Sequence, residues 1–275
     1  MTVKTFTVGC ALALAIFLFA RRPQSPGHAG PGTNAQSSSP QQHAFTKVVD
    51  LTHTISASAP TWEGASQSPY SARVVATYKE NGYFARDISL PEHFATHIDA
   101  PAHFGRGHWT VEKIPPERLV RPLVVLDVSA GAAKNPDYSI SVEDVAKWED
   151  ANGHMLPGAV VITRTGWENR WNSPRQYRNA DAKGVMHFPG YSLLAAQFLV
   201  EGRNALGLGI DTLSIDPGQS TDFPVHHYSA EHAVYGIENV ANLADLPPAG
   251  GLVVVAPIKL EGGSGGPVRI LALLP

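Results

Sequence analysis

Three histidines and an aspartate crowd into one short run, His93-Phe94-Ala95-Thr96-His97-Ile98-Asp99-Ala100-Pro101-Ala102-His103-Phe104. Neutral imidazole and carboxylate together are the usual donors for a borderline or hard divalent cation. A plainer reading makes the three histidines satisfied core or surface side chains that happen to lie close together. The pattern H-x-x-x-H-x-D-x-x-x-H favours the metal.

Spacing constrains the local backbone. A straight helix puts His93 and His97 on one face but turns Asp99 away. A straight strand aligns His93, His97, Asp99 and His103, yet separates His93 from His97 by about 13 Å, too far for one ion. The chain must therefore bend between His93 and His97, then run extended so that His97 and Asp99 project together. Pro91 and Pro101 bracket such an irregular segment.

A second cluster lies at His226, His227 and Glu238. His226 and Glu238 can supply further ligands from either end of a short helix expected after Ser229. His227 competes with His226 for that role. By itself the pair is weak, and a surface position for each is the plain alternative. Other chemistries are harder to build. The one cysteine is Cys10, outside the expected domain, and the Ser-rich regions lack a G-x-S-x-G elbow. The remaining histidines His53, His108, His154 and His232 read as structural or solvated, and His28 and His43 fall in a linker.

These residues need a scaffold. Of 275 residues, 43% are hydrophobic and 16% charged, enough for a sizeable core and too apolar for wholesale disorder. Twenty-one Lys+Arg against 24 Asp+Glu give a formal charge of −3, which excludes an electrostatic nucleic-acid binder with a basic face. β-Branched runs recur at Val48–Leu51, Val74–Thr77, Leu123–Val128, Val160–Ile162, Leu206–Ile210, Leu252–Val255 and Val268–Leu273. Several are near-continuous, as in strands covered on both faces. Ser141 followed by Glu143 and Asp144 opens one helix, which Asn152-Gly153 closes; Ser192 opens another, ended by Gly202. The expected fold is a single α/β domain over 45–275, with a mixed sheet and few helices.

The N-terminus differs in kind. Lys4 precedes the apolar run Val8–Ala20, and Arg21-Arg22 breaks it. This reads as a signal peptide over 1–20, short for a membrane span, and so predicts an exported protein, periplasmic or secreted. An uncleaved membrane anchor is the alternative. Residues 21–44, rich in Arg, Pro, Gly, Ser and Gln, read as a disordered linker.

The chain resembles the metal-dependent cyclase family, to which bacterial kynurenine formamidase and isatin hydrolase belong. The family pattern H-x-G-T-H-x-D-x-P-x-H-F is met by His93, Thr96, His97, Asp99, Pro101, His103 and Phe104, and a downstream His and Glu match His226 and Glu238. The likeness extends to Asp50-Leu51-Thr52, Asp211–Asp216 and Pro257–Gly262. It implies a barrel-like core of the swivelling β/β/α type. It also implies that His93, His97 and Asp99 bind a divalent metal, Zn2+ or Mn2+, with Asp99 able to bridge, while His226 and Glu238 serve a second ion. One or two ions fit the family. His103 is then the general acid/base, and Trp62 a substrate-facing aromatic, joined by Phe94, Phe104, His187 and Phe188. The implied reaction is hydrolysis of the amide C–N bond in a small aromatic amide or lactam, of the isatin or N-formylkynurenine type, by metal-activated water. A homodimer or higher oligomer is expected on the same ground. Ala95 departs from the family glycine; it is tolerated at negative φ and strained at positive φ. A competing reading keeps the fold as a non-catalytic metal- or ligand-binding protein. His103 speaks against it, since a binder needs no proton shuttle.

Overall fold

The computed structural model describes residues 45–64 and 68–275. The expected signal segment, the linker and Cys10 lie outside the described residues. Among the described residues no helix is long and apolar enough to cross a membrane.

The strands are β1 (Lys47–Asp50), β2 (Ser71–Ala76), β3 (Ala85–Ser89), β4 (His97–Asp99), β5 (Val120–Asp127), β6 (Ser139–Ile140), β7 (Val160–Arg164), β8 (Gly190–Tyr191), β9 (Gly207–Ile210), β10 (Tyr235–Glu238), β11 (Gly251–Pro257) and β12 (Gly265–Leu274). The main sheet runs β1-β12-β11-β5-β7-β9-β10-β4, and a further β12–β4 pairing closes seven of its strands into a barrel. Strands β5, β7, β9 and β10 are mutually parallel. The pairings β10–β4, β4–β12, β12–β11 and β11–β5 are antiparallel. The mixed sheet and barrel-like core expected from the sequence are what the chain forms.

The parallel half explains the near-continuous apolar runs. On β5, Leu123 and Val125 enter the barrel core with Ile98, Ile162, Val253 and Ile270. Their neighbours Val124 and Leu126 enter a second core with Leu208 of β9 and with Val145, Trp148 and Leu199 from the helical layer. Both faces are buried, so both need apolar side chains. The antiparallel β11 buries Val253 and Val255 but only part of Leu252 and Val254. Strand β2 pairs with β3 alone, and its Val74 and Val75 are about half exposed, so that run is not a covered strand.

The helix Val142–Asn152 starts on a capping box between Ser141 and Asp144. Trp148 Nε1 donates to the Val125 carbonyl at 2.8 Å and ties that helix to β5. Ser192 caps the helix Leu193–Gln197, which continues as a π-helical turn over Phe198–Gly202. The third helix corrects the sequence reading: it spans Pro224–Glu231 and so begins before His226 instead of after Ser229. Its start is set from afar. Asp216 Oδ1 and Oδ2 accept the Val225 and His226 amides at 2.9 and 3.0 Å, filling a capping role that no adjacent residue performs.

Candidate metal centre

Strand β4 lies between β10 and β12, with the last residue of β10, Glu238, beside it. Its alternation points His97 and Asp99 to one face. The register places Glu238 directly across from His97, and glycines on both sides of Asp99: Gly236 on β10 and Gly265 on β12. Gly265 is needed for room, and Gly236 leaves Asp99 uncrowded. A Cβ at Gly236 would lie 3.1 Å from Asp99 Oδ2, and one at Gly265 would lie 2.6 Å from His93 Cε1.

The bend required between His93 and His97 falls at Ala95, with φ of 55°. This is the strained case for alanine, costing about 1–2 kcal/mol. The surroundings hold it there. The Ala95 carbonyl accepts Asn239 Nδ2 at 2.8 Å and His97 Nδ1 at 2.9 Å. Tyr177 Oη in turn donates to Asn239 Oδ1 at 3.0 Å. Thr96 Oγ1 donates to the Asn239 carbonyl at 2.6 Å.

Four donors meet in the interior. His97 Nε2 is 3.3 Å from Asp99 Oδ1 and 3.4 Å from Glu238 Oε2. His226 Nε2 is 3.1 Å from Glu238 Oε1 and 3.4 Å from Asp99 Oδ2. His97, Asp99, Glu238 and His226 are 4, 4, 5 and 7% exposed. Two sets of donor atoms are tight enough for a cation, His97–Asp99–Glu238 and His93–Asp99–His103, and Asp99 belongs to both.

Each histidine has its other nitrogen engaged. His97 Nδ1–H donates to the Ala95 carbonyl, and His226 Nδ1–H donates to Asp216 Oδ2 at 2.6 Å. Both leave Nε2 facing the carboxylates. His93 is reversed. Its Nδ1 stands 2.6 Å from Asp99 Oδ1, and its Nε2 stands 2.9 Å from Ser264 Oγ. Ser264 Oγ and N both donate to Glu92 Oε2, at 2.7 and 2.9 Å. With its own proton given to Glu92, the Ser264 hydroxyl accepts Nε2–H and leaves His93 Nδ1 facing the site. The Ser264 hydroxyl bond also holds the Glu92 carboxyl below its usual range.

Charge is crowded here. Burial by itself lowers the His97 pKa, but Asp99 and Glu238 override it and lift the group to about 9. Burial likewise disfavours the ionised Asp99, yet His97, the nearby His226 ring and the hydrogen bond of His93 hold it well below the ordinary carboxylate range. Glu238 is raised, by burial first and by the Asp99 charge second. Burial opposes the charged form of His226, and its bonds to Asp216 and Glu238, with the Asp99 carboxylate close by, win, raising it well above the ordinary value. His103 goes the other way, down to about 4, through burial, opposed by Asp99 and aided by His93 and His226.

The donor set fits a divalent cation. Asp99 Oδ2 is buried with no hydrogen bond. Each inner imidazole nitrogen stands 3.1–3.4 Å from one oxygen of Asp99 and one of Glu238, close enough for a shared cation.

The site floors a cavity of about 640 Å³. His103 lines it, its ring stacked on His93 with centroids 3.9 Å apart. Trp62, Phe94, Phe104 and Phe223 give it aromatic walls. Trp62 packs on Phe223 and on the buried Phe188, with centroids 5.8 and 6.2 Å apart. His187 does not join them: its Nδ1 is held by Asp137 at 2.9 Å, away from the cavity. His227 is exposed and packs its edge on Phe104, so His226 is the one that faces the carboxylates. Asp216, Glu92, Ser264, Asn239 and Phe223 carry no role in the sequence reading, although Asp216 ends the Asp211–Asp216 run and Asn239 follows Glu238.

The family model described as "Putative cyclase" matches residues 49–217. Isatin hydrolase of Roseibium aggregatum is 32% identical over 211 residues, covering 73% of this chain and 80% of that protein. Kynurenine formamidase of Salinibacter ruber is 24% identical over 224 residues, covering 81% and 95%. The structure of isatin hydrolase A from Ralstonia solanacearum superposes with a TM-score of 0.79 at 37% identity, covering 83% of this chain and 92% of that one.

Proposed function

Since the chain belongs to the cyclase family, we propose that it is a metal-dependent hydrolase cleaving the amide C–N bond of a small aromatic amide or lactam. The observation that carries this reading is the sharing of Asp99 by two donor sets at the floor of an aromatic-walled cavity. His93, His97, Asp99, His226 and Glu238 would hold one or two ions, Zn2+ or Mn2+. A divalent cation bound there acidifies water and polarises a carbonyl oxygen.

The protein's own groups do the rest. Trp62, Phe104 and Phe223 clamp a flat ring and exclude water from the floor of the cavity. His103, held neutral near pH 7, has a lone pair free to take a proton from the attacking water. It then returns that proton to the departing nitrogen. Asp216 and the Ser264–Glu92 pair keep His226 and His93 in single tautomers, so no imidazole must reorient during turnover.

The test is to assay the metal-loaded protein with isatin and N-formylkynurenine in parallel. Ring opening of isatin is the expected result, given the relatives above. Turnover of N-formylkynurenine alone would move the assignment to a formamidase. If neither is turned over while metal and isatin both bind, the non-catalytic binder becomes the correct reading.

A further inference from the structure

The parallel strands have two ends, and the end opposite the metal centre holds a second cavity of about 600 Å³. Arg118, Arg121, Gly158, Glu201, Asn204 and His232 are among its lining residues. Arg118 closes the turn Pro116–Arg118, Arg121 is on β5, and both are half-buried. Each guanidinium is fixed in place. Arg118 Nη1 donates to the Ala233 carbonyl at 2.8 Å, and its Cζ lies 4.9 Å from the centre of the Trp109 ring. Arg121 Nε donates to the Gly158 carbonyl at 2.6 Å, and a Cβ on Gly158 would overlap Arg121 Nη2.

Among the described residues neither meets a carboxylate in an ion pair; the arginines that do are Arg73, Arg164, Arg203 and Arg269. The one acid of the cavity wall, Glu201, is exposed and accepts Tyr228 Oη at 2.6 Å. Two half-buried like charges facing one cavity repel each other and gain from a counter-charge between them. Guanidinium N–H groups left over from a single backbone bond present a planar fork that matches an oxyanion.

We propose that this cavity is an anion site for a small phosphate- or carboxylate-bearing molecule, separate from the aromatic cavity. Strand β10 stands between the two: Val234, just before it, lines the anion cavity, and Glu238, at its end, lines the other. That places them about 13 Å apart along the strand.

Calorimetric titration of the metal-loaded full chain with inorganic phosphate and with succinate tests this. Saturable binding of either probe is expected, weakened at least tenfold in Arg121→Gln and in Arg118→Gln, and several-fold in Arg118→Lys, which keeps the charge but loses the fork. Binding of phosphate alone identifies a phosphate ligand, and of succinate alone a carboxylate; either supports the site. The already paired Arg164→Gln should bind as the wild type does. If Arg121→Gln fails to fold, Arg118→Gln decides. Absence of saturable binding at millimolar concentrations, or equal binding by Arg118→Gln, overturns the proposal.

Discussion

The two donor sets that share Asp99 are built differently. His97 and Glu238 face each other across paired strands, and both are buried. His93 precedes that strand on irregular backbone and His103 follows it at the end of the 3-10 turn Pro101–His103, exposed to the cavity. Strand register fixes the first set, while side-chain stacking and a hydroxyl relay fix the second. The difference divides the labour: the buried inner set suits retention of an ion, and in the outer set His103, open to the cavity, suits proton exchange with a visiting molecule.

The largest effect should come from breaking the inner set. His97→Ala should abolish retention of metal through gel filtration, because it removes one of the three donor residues of the inner set. Metal analysis equal to wild type would remove His97 from the ligands. His103→Ala should cut kcat by roughly 10²–10⁴-fold with metal content nearly intact and KM changed far less. Joint loss of metal and activity would make His103 a ligand instead.

Ser264→Ala should weaken metal binding by roughly 10–100-fold, as outer partners of ligating histidines do. Competition with a chelator measures this, and an unchanged affinity would sink the relay. Ser264→Thr, which keeps the hydroxyl, should recover most of it.

Behind the inner set, Asp211 accepts the Thr165 amide and hydroxyl and is fully buried, which lifts its carboxyl to about 6. A folded pKa above the unfolded value gives stability that is present below about pH 4 and lost as pH rises through 6. Asp211→Asn can keep the Thr165 bonds without that loss. Its stability relative to wild type should therefore grow between pH 4 and 6, by on the order of 2 kcal/mol, then level off. Denaturant melts across that range read it, and a flat difference would mean an ordinary carboxyl. The smallest effect is expected at the bend. Ala95→Gly relieves the positive φ and should stabilise the domain by about 1 kcal/mol or less, with metal content unchanged. A lower melting temperature would show that Ala95 is not strained at its φ of 55°.

The metal motif was readable because its members lie close together in sequence and defy both regular periods. The need for a bend followed from the spacing, and Ala95 supplies it at the cost foreseen for positive φ. Strand β4 was less readable as an element, since three residues carry no period. The positioning groups were hidden for another reason. Ser264 acts on His93 from 171 residues away, and a hydroxyl has no spacing signature at that distance. The start of the helix Pro224–Glu231 was misplaced on similar grounds: Ser229 looks like a cap, but the capping carboxylate is Asp216, outside the local window. His187 was misassigned because an aromatic ring next to Phe188 says nothing of the Asp137 partner that draws it away.

Strand β4 also bears on how the protein comes to be folded. Its neighbours in the barrel are remote: the Ala95–Asn239 bond spans 144 residues and the His93–Ser264 contact 171. Closures of that length lose chain entropy before any contact rewards them, so they belong late in folding. The ring around Asp99 is then among the last features to form, and a cation has no assembled cradle to occupy before that moment. Bound metal should accordingly do little to the rate of folding and act mainly as a brake on unfolding, lengthening the lifetime of a barrel that has already closed.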